Sequence, residues 1–160
     1  MAVLWDPRFS LPAWQAAEAA ARERGWKLLS LEIRDAGEIE GAFKAATGAH
    51  ARALLVFAGA GFDPHARRIA ELVAKSRLPA MYAFRSYVEA GGLISYGTDP
   101  RENSRRAAVF VDKILKGAKP ADLPFEQPTK FELVINLKAA RSIGLVIPQP
   151  VLSRADEVIQ

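Results

Sequence analysis

The side chains that most often carry catalysis or metal binding are few and scattered in this sequence. Neither His50 nor His65 has a second histidine or a carboxylate at ligand spacing on its own predicted element. Cysteine is absent, which excludes thiolate metal sites and cysteine nucleophiles. Ser95 lies in a predicted strand without a local base, and the carboxylates fall mostly at helix caps or on helix faces, so no acid–base pair stands out. We therefore expect no metal site, no cofactor, no catalytic residues and no enzymatic activity.

A glycine-containing loop offers a second kind of chemistry. Gly59-Ala60-Gly61 follows a predicted strand and precedes a predicted helix, as in the opening of a dinucleotide-binding fingerprint. The third glycine of that fingerprint would fall at Pro64, and no acidic residue follows a second strand at the expected place. The pattern therefore favours a ligand-facing loop or a plain tight turn over nucleotide binding.

Aromatic residues cluster at the predicted ends of strands. Trp5, Phe57, Phe84 and Tyr96 lie at or near the carboxyl ends, and Phe62 is in the loop after one of them. Core packing accounts for some of them. Because aromatic walls with a few polar groups are typical of small-molecule sites, the grouping also favours a planar, apolar ligand cleft.

These residues must be positioned by alternating strands and helices. Short apolar runs predict strands at 2–5, 28–33, 53–57 and 80–84, and amphipathic patterns with capping residues predict helices between them. Such alternation is typical of a parallel sheet with right-handed crossovers, in which ligands bind beyond the carboxyl ends of the strands. The loops after Trp5, Phe57 and Phe84 are therefore the candidate ligand-binding loops.

The second half has a different organisation. After Gly91-Gly92 we predict a short strand at 93–96, a helix beginning near Asp99, a strand at 131–135 and a last helix after Pro150. The helix near Asp99 has one apolar face, and a proline-rich stretch follows it at 119–128. The face consists of Ala107, Phe110, Val111, Ile114 and Leu115.

Composition excludes several classes of protein. The chain has 160 residues, a net charge of +4 and no apolar run long enough to span a bilayer, so we expect one domain without membrane insertion. Basic residues on the helix after Asp99 lack interleaved aromatics, which favours a solvated face over nucleic-acid binding. They are Arg101, Arg105, Arg106, Lys113, Lys116 and Lys119.

Two long segments resemble a known family. Pro79–Arg85 with Glu89–Gly97, and Phe110–Pro124 with Glu126–Lys138, are similar to the solute-binding proteins of ABC transporters of the type related to uptake of tryptophan and other aromatic amino acids. The C-terminal residues 152–160 also match, so the similarity covers essentially the whole chain. The resemblance implies a type I periplasmic binding fold, in which two α/β lobes enclose a ligand.

Family members are about twice this length and carry a secretion signal, and this chain resembles only their C-terminal half. The resemblance implies a flavodoxin-like lobe at 1–92, a crossover strand and helix at 93–127 that belong to the first lobe in the family, and a return to the α/β lobe at 128–160. With no signal at its start, the chain is expected in the cytoplasm, whereas full-length relatives are periplasmic. An ABC permease is an expected partner only of a full-length form.

The resemblance also implies a ligand-binding wall, whose solute is a small molecule such as an amino acid. The implied residues are Asp6, Pro7, Gly59, Gly61, Phe62, Phe84, Arg85 and Tyr96. Asp6 is the one good candidate to hold an ammonium group. The loop at 58–62 lacks the polar or acidic side chain expected there, which predicts weak binding or none.

The apolar helix near Asp99 predicts self-association. Left exposed, its apolar face would form an adhesive patch, so it must pack on its own sheet or on a second copy. We predict a homodimer in which the 93–127 segment is exchanged between copies. The alternative function is a non-catalytic oligomerisation or interaction protein that has lost ligand binding.

Overall fold

A computed structural model describes residues 1–160 and contains one seven-stranded sheet. The strand order is β2-β1-β3-β4-β5-β6-β7; every neighbouring pair is parallel except β5 and β6. The predicted α/β class, a mostly parallel sheet flanked by helices, is confirmed. The strands are β1 (Ala2–Trp5), β2 (Leu29–Glu32), β3 (Leu54–Val56), β4 (Ala80–Tyr82), β5 (Ile94–Gly97), β6 (Glu132–Asn136) and β7 (Glu157–Ile159).

Seven helices connect or follow the strands. Local capping sets several of their ends: the Asp99 carboxylate accepts the Arg101 amide, and the Asn136 side chain accepts the Ala139 amide. The helices are α1 (Leu11–Glu23), α2 (Ile39–Gly48), α3 (Ala66–Ser76), α4 (Arg85–Glu89), α5 (Pro100–Leu115), α6 (Leu137–Ser142) and α7 (Gln149–Leu152). None of them is long and apolar enough to cross a bilayer.

The core consists of two apolar clusters. The larger one lies between the first four strands and the helices α2, α3 and α4, and it includes Leu4, Val56, Phe62 and Tyr87. The smaller one packs the segment 137–155 against β5 and β6 around Ile135. Continuous apolar strands such as β1, whose four residues are all buried, are expected where helices cover both faces of a sheet.

The C-terminal end differs from the prediction. The helix expected after Pro150 ends at Leu152, and Glu157–Ile159 forms the edge strand β7 beside β6. The prediction of a helix through Val158 and Ile159 is therefore wrong, because pairing with β6 satisfies the backbone that a helix would have satisfied internally. Helix α4, which lies in the large cluster, has only five residues and was too short to be predicted.

The residues between β5 and β6 lie outside both clusters. Strand β5 pairs with β4 and β6 inside the sheet, and the chain leaves the sheet after Gly97 and returns at Glu132. Helix α5 has no buried residue, and Leu115 is 81% exposed. The helix therefore does not pack on its own sheet. The division of the chain at 93 and 127 stays a prediction.

One buried hydroxyl in the core has no hydrogen-bond partner. Tyr82 is 1% exposed and stacks on Tyr87 at 4.8 Å between ring centroids, but its hydroxyl oxygen meets neither donor nor acceptor. Tyr82→Phe is therefore expected to leave stability unchanged or raise it by up to about 1 kcal/mol, because an unpaired buried polar group is costly. Urea unfolding measures this.

The matched control is Tyr87→Phe. The Tyr87 hydroxyl donates to Asp63 Oδ1 at 2.7 Å, so its loss should destabilise the chain by about 1–2 kcal/mol. Equal losses from the two substitutions would contradict the assignment of an unpaired hydroxyl to Tyr82.

Candidate functional site

The candidate site is the sheet edge where β1–β5 end. Strands β6 and β7 run the opposite way and therefore begin at this edge. The edge carries the loop after β1, the loop after β3, the start of α4 and both ends of the residues 98–131, which we call the α5 segment. We call it the carboxyl edge, and it gathers the residues that the sequence predicts as ligand-binding.

Asp6, directly after β1, is completely buried and paired with Arg8. Its Oδ1 accepts the Arg8 backbone amide at 2.9 Å and Nε at 3.0 Å, and Oδ2 accepts Nη2 at 2.7 Å. The Arg8 side chain also donates to the backbone carbonyl of Arg34, after β2. Hydrogen bonds from the Arg8 guanidinium hold the pKa of the Asp6 carboxyl below its usual value, although burial opposes this. Asp6 thus joins two loops, and both of its oxygens are occupied.

The loop after β3 is packed too tightly for larger residues. A Cβ at Gly61 would overlap the carbonyl oxygen of Arg34, and one at Gly59 would overlap the ring of Phe62. Phe62 itself is fully buried in the large cluster. The two glycines therefore let the backbone approach its neighbours closely, which explains the Gly-Ala-Gly sequence without a nucleotide.

The Asp63 side chain holds this loop through two hydrogen bonds. Its Oδ2 accepts the Gly59 amide at 2.9 Å, and its Oδ1 accepts the Tyr87 hydroxyl. Burial raises the pKa of the Asp63 carboxyl above its usual value, although these two hydrogen bonds oppose the shift. The loop is thus tied to α4, which follows the next strand.

Arg85, at the start of α4, is surrounded by three carboxylates. It donates to Glu89 at 2.8 Å, to Glu132 of β6 at 3.2 Å and to Glu157 of β7 at 2.8 Å. The hydrogen bonds to Glu89 and Glu157 raise the pKa of the guanidinium above its usual value. Arg85 therefore joins α4 to β6 and β7, and its charge is already neutralised.

Aromatic side chains at the carboxyl edge remain accessible. Phe84 is half-buried and packs against the large cluster, whereas Tyr96 is 51% exposed and stacks on Phe131 at 5.5 Å between centroids. Phe9, in the loop after β1 beside the half-buried Pro7, is 59% exposed with the Arg8 guanidinium 5.6 Å from its ring centre. The sequence reasoning missed Phe9 and Phe131. The sequence signal for Phe9 was an aromatic residue soon after the end of β1. The signal for Phe131 was an aromatic residue directly before the start of β6.

A polar groove adjoins this edge. It has a volume of about 430 Å³ and lies between α5 and the chain at 128–132. Its charged residues are largely paired internally, Glu102 with Arg105 and Arg106 with Glu126. No group of three histidine, aspartate or glutamate side chains is placed to hold a metal ion. The groove therefore supplies few unpaired charges.

Comparison with known proteins gives one family. The family model described as ABC transporter substrate binding protein matches residues 2–159. A comparison with curated proteins found no significant match.

Solved structures of three proteins resemble the chain. A conserved domain protein from Vibrio cholerae O1 biovar El Tor superposes with a TM-score of 0.90 at 24% identity over 98% of this chain. An ABC domain from Streptococcus pneumoniae, solved in complex with L-Trp, gives 0.87 at 26% identity over 99%. A ligand-free, open substrate-binding protein with adhesive properties from Clostridium difficile gives 0.70 at 17% identity over 99%.

The chain spans about half the length of these proteins, covering 53%, 54% and 54% of them respectively. The Vibrio and Clostridium likenesses are low in identity and show the fold alone.

Proposed function

The chain belongs to the ABC transporter substrate-binding protein family, and we propose that it is a non-catalytic module that binds a small solute, an amino acid or a close analogue, at its carboxyl edge. The observation that carries this proposal is the accessible aromatic surface at that edge, on a fold shared with a domain solved in complex with L-Trp. Binding there is weak, because a single lobe covers a solute from one side only.

The aromatic surface suits an apolar, planar side chain. The stacked pair Tyr96–Phe131 provides flat apolar area, and an added aromatic ring would stack on it in the same way. Phe84 supports this edge from the large cluster. Phe9 and Pro7 extend this surface towards β1. Aromatic or branched amino acids are therefore the solutes that we expect this surface to bind.

Backbone amides, not charged side chains, are proposed to hold the solute's carboxylate. The amides of Ala60 and Gly61 make no hydrogen bond within the chain, and successive free amides attract anions. Asp6, Phe62 and Arg85 act as supports: the first and last are internally paired and Phe62 is buried. Gly59 keeps the loop close to the ring of Phe62.

A second lobe is needed to enclose the solute. We propose that a second copy of this chain supplies it, in a homodimer that exchanges the α5 segment. Delivery to an ABC permease is proposed only for a two-lobed form, since closure around the solute is what distinguishes loaded from empty binding proteins.

One observation favours the alternative function of an interaction protein without a solute. Asp6 and Arg85, the two charged residues that the sequence predicts at the ligand-binding wall, are both paired with charged residues of the same chain. An amino acid's ammonium group then has no dedicated carboxylate partner. In this alternative the lobe serves only to carry the apolar α5 surface.

A thermal shift experiment tests solute binding. A solute at a hundredfold excess over its Kd stabilises the folded chain by about 2.7 kcal/mol, which raises the Tm by roughly 5–10 °C for a chain of this size. We expect such a shift with L-Trp, L-Phe or a branched amino acid at millimolar concentration, and its loss in Tyr96→Ala.

The matched control is Trp26→Ala. Trp26 is also an exposed aromatic, 59% accessible, but it lies before β2, away from the carboxyl edge, so its loss should leave the shift unchanged. No shift and no calorimetric heat with any of these amino acids would exclude the solute and leave the interaction function.

A further inference from the structure

Helix α5 carries an apolar face that is covered in its own chain only near Phe110, which is half-buried beside the residues at 126–128. Its apolar stripe is defined by Ala107, Phe110, Val111 and Ile114, which share one side at 100° per residue, and Leu115 flanks it. Ile114 is 40% exposed and Leu115 is 81% exposed. The helix begins three residues beyond the end of β5 and has 16 residues, about 24 Å of length. Ala107, Val111 and Ile114 of this stripe are therefore exposed to water in the isolated chain.

The sheet of the same chain has an incompletely covered apolar face. Met81 lies in β4, a central strand, yet it is 36% exposed. Its register partners are Leu55 in β3 and Ile94 in β5, which therefore lie on the same face and are only half-buried. We call Leu55, Met81 and Ile94 the open strip. On this face α1 stacks over β1 through Trp14 and Trp5, and Ile135, the register partner of Ile94 in β6, is buried in the smaller cluster.

We propose that the apolar stripe of α5 from one copy packs on the open strip of a second copy, in a reciprocal, two-fold symmetric exchange. The helix lacks an apolar partner and the sheet lacks a covering helix, so each copy contains both halves of one contact. A symmetric exchange makes that contact twice and closes the assembly at two copies. Burial of an amphipathic helix on an apolar sheet face is the usual way in which α/β layers become stable.

One further observation supports a second copy as the occupant. Both ends of the α5 segment are held at the carboxyl edge, by the pairing of Gly97 with Glu132 and the stacking of Tyr96 on Phe131. The segment therefore leaves and re-enters the sheet at one place, which lets it reach a neighbouring lobe without disturbing its own.

Disulfide trapping tests the contact directly, because the chain contains no cysteine. Met81→Cys and Ile114→Cys proteins are made separately, mixed without any solute, and oxidised. We expect a crosslinked heterodimer that exceeds either self-crosslinked species at least tenfold. Val109→Cys is the matched control: it is 51% exposed on the opposite side of α5, and it should crosslink to Met81→Cys at background level.

The oligomeric state provides the second measurement. Light scattering at micromolar concentration should give a dimeric mass for the unsubstituted chain, and Ile114→Glu should raise the dimer Kd at least tenfold while Val109→Glu does not. Ile114 contributes nothing to either core cluster, so circular dichroism of Ile114→Glu should be unchanged.

Three outcomes would overturn the proposal: a monomeric unsubstituted chain, efficient self-crosslinking of Ile114→Cys, which indicates helix-to-helix pairing, or equal crosslinking through Val109→Cys. None of these readouts involves a solute. A failure here is therefore distinct from a failure of the proposed solute binding.

Discussion

Gly97→Ala is expected to lower the melting temperature by roughly 6–12 °C, corresponding to about 3 kcal/mol for overpacking in a chain of this size. Gly97 ends β5, and a Cβ there would overlap the backbone carbonyl oxygen of Ala83. A backbone oxygen cannot turn aside as a side chain does, so β4 and β5 must separate at the carboxyl edge. Differential scanning calorimetry measures the change.

The control for this substitution is Gly41→Ala. Gly41 lies inside α2, and a Cβ there would meet nothing within 4 Å. Because alanine favours helix over glycine, this variant should gain about 0.5–1 kcal/mol. A Tm for Gly97→Ala within 2 °C of the unsubstituted chain would contradict the close approach of β5 to Ala83.

Asp6→Asn is expected to reduce the free energy of unfolding at pH 7 by about 2 kcal/mol. The carboxylate accepts three hydrogen bonds from Arg8, and hydrogen bonds to charged groups contribute about 1.5–3 kcal/mol. An asparagine keeps one acceptor oxygen but turns an NH2 group towards the guanidinium. Because the Arg8 side chain is 50% exposed, it can move into water, which limits the loss. Urea unfolding gives the difference.

The effect of pH separates this ion pair from general acid destabilisation. The pKa of Asp6 lies below its unfolded-state value of 3.8, so its contribution is complete above about pH 4–5 and is lost as pH falls through the lower folded-state pKa. The stability difference between the unsubstituted chain and Asp6→Asn should therefore shrink towards zero in strong acid. Asp122→Asn, at an exposed turn residue, should show no difference at either pH. A gap that stays constant from neutral pH into acid would mean that Arg8 does not stabilise the charged carboxylate.

Much of the architecture follows from local patterns. The apolar runs of β1 and β3, the helix periodicity of α2 and α3 and the capping residues before α5 all led to elements that the structure contains. The terminal strand β7 was not predictable in this way, because Glu157–Ile159 is too short to show a period and becomes a strand only beside β6.

The residues of the carboxyl edge also include some features that the sequence predicts and some that it does not. The sequence predicts which loops meet there, because all parallel strands end at one edge. It could not show that Arg85 meets Glu132 and Glu157, which lie 47 and 72 residues away, or that Phe62 turns into the core. Asp6, expected to be available for an ammonium group, finds its partner two residues along the chain.

The sequence by itself determined the alternation of strands and helices, the loops of the site and the apolar stripe of α5, because these depend on periods of two and 3.6 residues and on local caps. Only the tertiary structure decided which of those side chains stay free. The charge of Arg85 is neutralised by residues from distant strands, whereas Tyr96, Phe131 and Phe9 stay accessible. The physical reason is that pairing and burial depend on which elements become neighbours, and a local pattern does not contain that information.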